Sequence, residues 1–110
     1  MNAILIETSS ATCSAALVAN NKIIKSFRSD EPMQHAVHLP LYVQDAMHIA
    51  KEKGLEIDAV AVSCGPGSYT GLRIGVSTAK GLCYALGAKL VAVNTLNLIA
   101  LEFIASQDNL

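Results

Sequence analysis

The spacing of apolar and polar positions changes along this chain, and each change marks an element. Ala3 to Glu7 (AILIE) is a short apolar run of strand length, and Thr12 to Ala19 (TCSAALVA) is a second. Lys22 to Arg28 (KIIKSFR) is a third, with Ile24, Ser26 and Arg28 alternating against Ile23, Lys25 and Phe27. Asn20-Asn21 separates the last two, and Asn accepts the left-handed backbone that a two-residue hairpin turn requires. The short segment TSSA between the first two predicts another hairpin, so three antiparallel strands open the chain. From His35 to Lys53 the period becomes helical: Leu39, Val43, Ala46 and Ala50 recur at steps of four and three, with Tyr42, Met47 and Ile49 widening the stripe. Pro40 falls early in this helix and Gly54 ends it. Ala59 to Cys64 is a continuous apolar strand, followed by a glycine-rich loop and a helix from about Leu72 to Leu86 that stops at Gly87. Leu90 to Asn94 predicts a last buried strand, and Thr95 caps a final helix running to about Ser106.

The predicted order is therefore βββαβαβα. Strands joined through helices pair in parallel, so an antiparallel meander plus two parallel strands makes a mixed five-stranded sheet in an α/β fold. The chain of 110 residues is expected to be one domain, 1–110. Its composition changes this picture in one respect. Apolar residues make up 52% and charged residues only 15%, with mean hydropathy +0.40, whereas soluble domains carry roughly 25% charge. Such a chain has more apolar surface than its own core buries, which predicts a second domain or a partner subunit. Net charge is −1, with no run of Lys or Arg, so any contact with nucleic acid is expected to be indirect. The three cysteines (Cys13, Cys64, Cys83) show no CxxC spacing and lie in apolar stretches, which reads as reduced, buried thiols. The N-terminus lacks the basic region of a signal peptide and no segment approaches the ~18 apolar residues of a membrane helix. A cytoplasmic protein is expected.

Four places are candidates for chemistry. In the first turn, ETSSATCS, Glu7 could hold a metal through water while Thr8, Ser9, Ser10 and their amides donate to phosphate oxygens; equally, the hydroxyls could satisfy a Ser/Thr-rich hairpin. The loop SCGPGSYTGLRIG crowds Gly65, Pro66, Gly67 and Gly71 between a strand and a helix. It is neither a Walker A loop nor a Rossmann fingerprint nor a nucleophile elbow. It leaves two readings, an anion site at a helix N-terminus or a tight corner that permits close backbone approach. His35 and His38 stand three apart without an acidic or Cys ligand in register, which reads as surface or capping histidines. Finally, the helix Leu72 to Leu86 has two faces. Leu72, Gly75, Val76, Ala79, Cys83 and Leu86 suit packing on the sheet, while Ile74, Thr78, Gly81 and Ala85 form a small, uncharged second face framed by Arg73, Lys80 and Tyr84. That second face reads as a partner seam, to which Arg73 belongs, and Val37 and Leu41 extend it with apolar residues off the main stripe of the first helix. No catalytic set emerges from spacing.

The segments ILIETSSATCSAALV, HAVHLP and CGPGSYTGLRIGVSTAKGL closely resemble the TsaB (YeaZ) family, subunits of the bacterial machinery that makes threonylcarbamoyladenosine at position 37 of tRNA. The resemblance covers nearly the whole chain. It implies a ribonuclease H-like, actin-like ATPase domain, the N-terminal of the two such domains that family members carry, with the second absent here. It implies a non-catalytic scaffold or activator that forms a heterodimer with TsaD, works with the ATPase TsaE and meets tRNA only indirectly. Pairing would run through helices at Ala36 to Lys53 and Leu72 to Leu86, and a homodimer is expected when the chain is alone. The ATPase relatives open on Asp-x-Gly-Thr where this chain has Glu7, Thr8, Ser9 and Ser10; the longer acid and missing glycine imply a degenerate phosphate loop. ATP or ADP is then expected only weakly or at a subunit junction. The metal-binding His-x-x-x-His of TsaD-like relatives does not carry over to His35 and His38, so no metal and no catalytic residue is expected. The alternative function is an enzyme, an ATPase or a glycoprotease-type (M22 peptidase-like) hydrolase.

Overall fold

A computed structural model describes residues 1–9, 12–31, 34–65, 67 and 69–94. They form β1 (Asn2–Glu7), β2 (Cys13–Ala19), β3 (Lys22–Ser29), α1 (His35–Glu52), β4 (Ala59–Ser63), α2 (Tyr69–Leu86) and β5 (Lys89–Val93). The sheet order is β3-β2-β1-β4-β5, with β1–β2 and β2–β3 antiparallel and β1–β4 and β4–β5 parallel. This is the mixed five-stranded sheet of the expected α/β topology. The predicted last helix from Thr95 to Ser106 lies outside the described residues, as do Ser10 and Pro66.

The register shows why the apolar periods fall where they do. Ile4 pairs with Leu17 on one side and Val60 on the other, and Ile6 with Ala15 and Val62. Side chains alternate across a strand, so these six share one face. The stripe of α1, Leu39, Val43, Ala46 and Ala50, is buried in the same core with Ala79 of α2. Asn20 and Asn21 take φ of 55° and 64°, the left-handed pair of a two-residue hairpin. A bulge follows in the β2–β3 ladder: Leu17 pairs with Lys25 but Val18 with Ile23. The extra residue, Ile24, is left on the exposed side, and Phe27 stays in phase to stack on Tyr42 of α1, centroids 5.5 Å apart.

Three expectations need correction. Helix α2 begins at Tyr69, a turn before Leu72. Its apolar stripe starts late because the first inward position is Gly71, which is buried yet carries no side chain. Strand β5 is an edge strand rather than a buried one, with Leu90 and Val91 exposed. Cys64 is exposed, its thiol donating to the Val93 carbonyl at 3.4 Å; Cys13 is buried and Cys83 half-buried, and all three are free.

Backbone bonds lock the two ends of the parallel strands. At the start, the Asn2 N–H donates to Asp58 Oδ2 and the Asp58 N–H returns to the Asn2 carbonyl, both at 2.9 Å, while the Lys89 N–H donates to the Asp58 carbonyl at 3.0 Å. At the far end the Cys64 N–H donates to Val93. The C-terminal ends of β1 and β4 thus lie side by side, placing Glu7–Ser9 against the loop that leads into α2.

Burial pushes the Cys13 thiol up to about 11 from 9.0. The folded chain therefore holds the neutral thiol where the unfolded chain ionises it. Its contribution to stability is full below pH 9.0 and is lost as pH rises towards 11. Urea melts across that window should show a shallower alkaline decline for Cys13→Ala than for the parent; equal slopes would remove Cys13 as the cause.

Candidate functional site

Glu7, Thr8 and Ser9 leave the end of β1 and turn inward. Their exposures are 8%, 0% and 4%, unusual for three polar residues at a hairpin. The Glu7 carboxylate folds back over its own turn. Its Oε1 accepts the Ser9 backbone N–H at 2.7 Å and the Ser9 hydroxyl in a short contact. The donors that a bound phosphate would take from Ser9 are thus already committed to an internal anion. The other oxygen, Glu7 Oε2, and the Thr8 hydroxyl are buried with no hydrogen-bond partner among the described residues.

The glycine loop lies on top of this turn. A Cβ added at Gly67 would lie 2.3 Å from the Ser9 carbonyl oxygen, one at Gly71 2.0 Å from the Thr8 carbonyl oxygen, and one at Gly75 2.3 Å from Thr8 Oγ1. Carbon and oxygen do not approach so closely, so each position admits only hydrogen. The four-residue spacing puts Gly71 and Gly75 on one face of α2 with Gly67 just before it. Together they form a bare ridge that lets the helix backbone rest on Thr8 and Ser9. Gly65 has φ +125°, open to glycine alone. What is described of the loop is a close-packed corner, with Gly67 against Ser9. Gly75, read from the sequence as one more sheet-facing residue, belongs to this ridge; the signal was the repeated four-residue glycine spacing.

The histidines are not surface residues. His35 is buried at the start of α1, its Cδ2 3.6 Å from where a Gly71 side chain would begin. His38 stacks on Tyr42, centroids 5.9 Å apart, with Nε2 3.8 Å from Glu31 Oε2.

The proposed seam residues divide between two settings. Ile74 and Thr78 are half-buried on the flank of α2 that faces α1. With Arg73, Ser77, Ala36 and Pro40 they line an open groove of about 490 Å³ between the helices. The Thr78 hydroxyl donates to the Ile74 carbonyl at 2.8 Å, satisfying itself on its own helix. Gly81 and Ala85 are exposed, and a Cβ at Gly81 would meet nothing within 4 Å. Tyr84 next to them in α2 is 94% exposed, and Val37 and Leu41 on the N-terminal half of α1 are 57% and 54% exposed. Leu41, Arg73, Gly81 and Ala85 are exposed, whereas Ile74 and Thr78 are half-buried beside α1. A larger groove, about 590 Å³, lies between the C-terminal ends of α1 and α2 beside Met47, Leu55 and Leu86. It is at the opposite end of the strands from Glu7–Ser9 and contains none of the candidate residues. No helix of the described residues is long and apolar enough to cross a membrane.

Residues 30–109 match the family model described as TsaD, tRNA N6-adenosine threonylcarbamoyltransferase. The chain is 36% identical over 102 residues to the tRNA threonylcarbamoyladenosine biosynthesis protein TsaB of Escherichia coli (strain K12), covering 91% of this chain and 43% of that protein. It is 31% identical to the TsaB protein of Bacillus subtilis (strain 168), covering 91% and 44%. A tRNA N6-adenosine threonylcarbamoyltransferase of Jannaschia sp. (strain CCS1) is 45% identical over 62 residues, 56% of this chain and 17% of that one. Among solved structures, YeaZ from Pseudomonas aeruginosa superposes with a TM-score of 0.73 at 32% identity, covering 84% of this chain and 43% of that one. The chain thus spans less than half the length of the first two relatives.

The two kinds of glycine in α2 should respond oppositely to the same change. Gly71→Ala is expected to cost at least ~3 kcal/mol because a backbone oxygen stands in the way, and Gly81→Ala to stabilise by roughly 0.5–1 kcal/mol. Chemical denaturation of both variants decides this; a tolerated Gly71→Ala would mean that the ridge is not in contact with the turn.

Proposed function

This chain belongs to the TsaB/TsaD family of tRNA threonylcarbamoyladenosine proteins, on its TsaB (YeaZ) side, and from that premise we propose that it is a non-catalytic scaffold or activator for N6-threonylcarbamoylation of adenosine 37 in tRNA. In this reading it corresponds to the N-terminal half of its longer relatives. It pairs with TsaD through the outer face of α1 and α2, with TsaE joining the assembly, and TsaD rather than this chain provides the chemistry. The observations that carry the reading are two uncovered helix surfaces: Gly81 and Ala85 of α2, uncharged beside exposed Tyr84, and the exposed Val37 and Leu41 of α1. A helix face that lacks both charge and bulk lets a second helix come close, and an apolar surface of this kind is costly to leave in water. The committed Glu7 carboxylate supports the non-catalytic part, since the turn's donors are turned onto their own chain. A net charge of −1 supports contact with tRNA through the partner. In the absence of TsaD, two copies pair through the same face about a two-fold axis.

Sedimentation velocity of the chain mixed with TsaD from the same organism tests this reading. Parent chain should form a mixed dimer in place of its self-dimer, and Gly81→Leu, which projects a side chain from the middle of the face, should weaken it by about tenfold or more. Retained mixed-dimer formation by Gly81→Leu would move the interface elsewhere. Mg-ATP turnover by the purified chain would favour an ATPase instead.

A further inference from the structure

Thr8 poses a chemical question that the proposed function leaves unanswered. Its side chain is fully buried and its hydroxyl has no hydrogen-bond partner among the described residues. A buried hydroxyl without a partner is a net cost, so what Thr8 contributes here is volume at a defined point. That point is directly beneath α2. Thr8 Oγ1 is 2.3 Å and Thr8 Cβ 3.4 Å from where a Gly75 side chain would begin, with Val62 Cγ2 also at 3.4 Å. One turn earlier the Thr8 carbonyl oxygen opposes Gly71, and beyond it the Ser9 carbonyl opposes Gly67. The corner therefore rests on three points, Gly71 and Gly75 on the inner side of α2 and Gly67 just before it, with side-chain atoms alone opposing Gly75. The outer side of the same two turns carries Arg73, Ser77 and the start of the small-residue face. Because a helix moves as a rigid rod, the height of its inner side fixes the height of its outer side.

We propose that Thr8 is a positioning residue, a steric spacer that sets how far α2 stands from the sheet and so determines whether a partner helix fits the outer face. The proposal rests on the reading of that face as the docking surface. Of the three contacts, only the one at Gly75 is made by side-chain atoms alone; at Gly67 the Ser9 Cβ stands beside the Ser9 carbonyl. The Gly75 contact is therefore the only one that a second substitution can relieve. At Gly71 and Gly67 the obstructing atoms include backbone oxygen, and no truncation of Thr8 or Ser9 removes it. With Thr8 shortened to Ala, the nearest remaining atoms to an added Gly75 methyl stand at 3.4 Å, a tight but tolerated contact.

The test is a double-mutant cycle on the full chain, read by denaturant melts and by sedimentation with TsaD under conditions in which each variant is folded. Gly75→Ala should lift α2 and weaken association by about tenfold, and Thr8→Ala/Gly75→Ala should restore it to within about threefold of the parent. Thr8→Val, which keeps the volume and drops the hydroxyl, should associate like the parent but fail to rescue Gly75→Ala. Thr8→Ala should not rescue Gly71→Ala. If Gly75→Ala does not fold, the double variant still must fold and associate. A double variant no better than Gly75→Ala overturns the proposal, as does a Gly75→Ala variant that melts earlier yet associates normally. Loss of association in Gly75→Ala with an unaffected Gly81→Leu keeps Thr8 as the spacer and refutes the assigned docking face; association intact in both refutes both.

Discussion

Everything at the functional end of this molecule depends on the close approach of the α2 backbone to the β1–β2 turn. Helices ordinarily pack on a sheet through side chains, which keep their axes well above it. Here the inner side of α2 is bare at Gly71 and Gly75, with Gly67 before it, so the helix sinks onto the carbonyl oxygens of Thr8 and Ser9. Glycine lowers helix stability by up to ~1 kcal/mol per position, and Gly81 within the same helix adds to the cost. The same contact excludes solvent from the turn and buries Glu7, Thr8 and Ser9, which adds the cost of burying polar groups.

That exclusion decides the chemistry of the turn. A phosphate-binding loop keeps its amides and hydroxyls free and aimed at one empty place. In this turn the Ser9 N–H and hydroxyl both serve Glu7 Oε1, so the chain carries its own anion at that place. The turn packs against a helix through the glycine ridge.

Much of the fold could be read from period alone. The stripe Leu39, Val43, Ala46, Ala50 is the buried face of α1, and Asn20-Asn21 takes the backbone that its composition demands. Element order and strand direction follow from those periods. What could not be read has a common cause: glycine has no side chain and so leaves no mark in a hydrophobic pattern. The first turn of α2 and the ridge both hang on Gly71. The pattern likewise marked β5 as buried because its residues are apolar, whereas its place at the sheet edge depends on an order of strands that no local signal encodes. The bulge at Ile24 was hidden for a similar reason, since it shifts a phase within a run that alternates on either side of it.

The candidate site was legible as residue types but not as an arrangement. Spacing marked Glu7–Ser9 and the glycine loop as two separate prospects for binding phosphate, and each was plausible alone. The parallel pairing of β1 with β4 brings them together, and the glycines of the loop and of α2 pack against Thr8 and Ser9. The small-residue face stands differently. Its Ile74 and Thr78 turned out to flank a groove with α1, while Gly81 and Ala85 remain open. A face that begins half-buried against α1 and becomes exposed towards its end suits a partner helix entering at an angle, with its closest approach at Gly81. The glycines of α2 thus differ by side: on the inside Gly71 and Gly75 admit the chain's own turn, while a side chain at Gly81 would meet nothing within 4 Å.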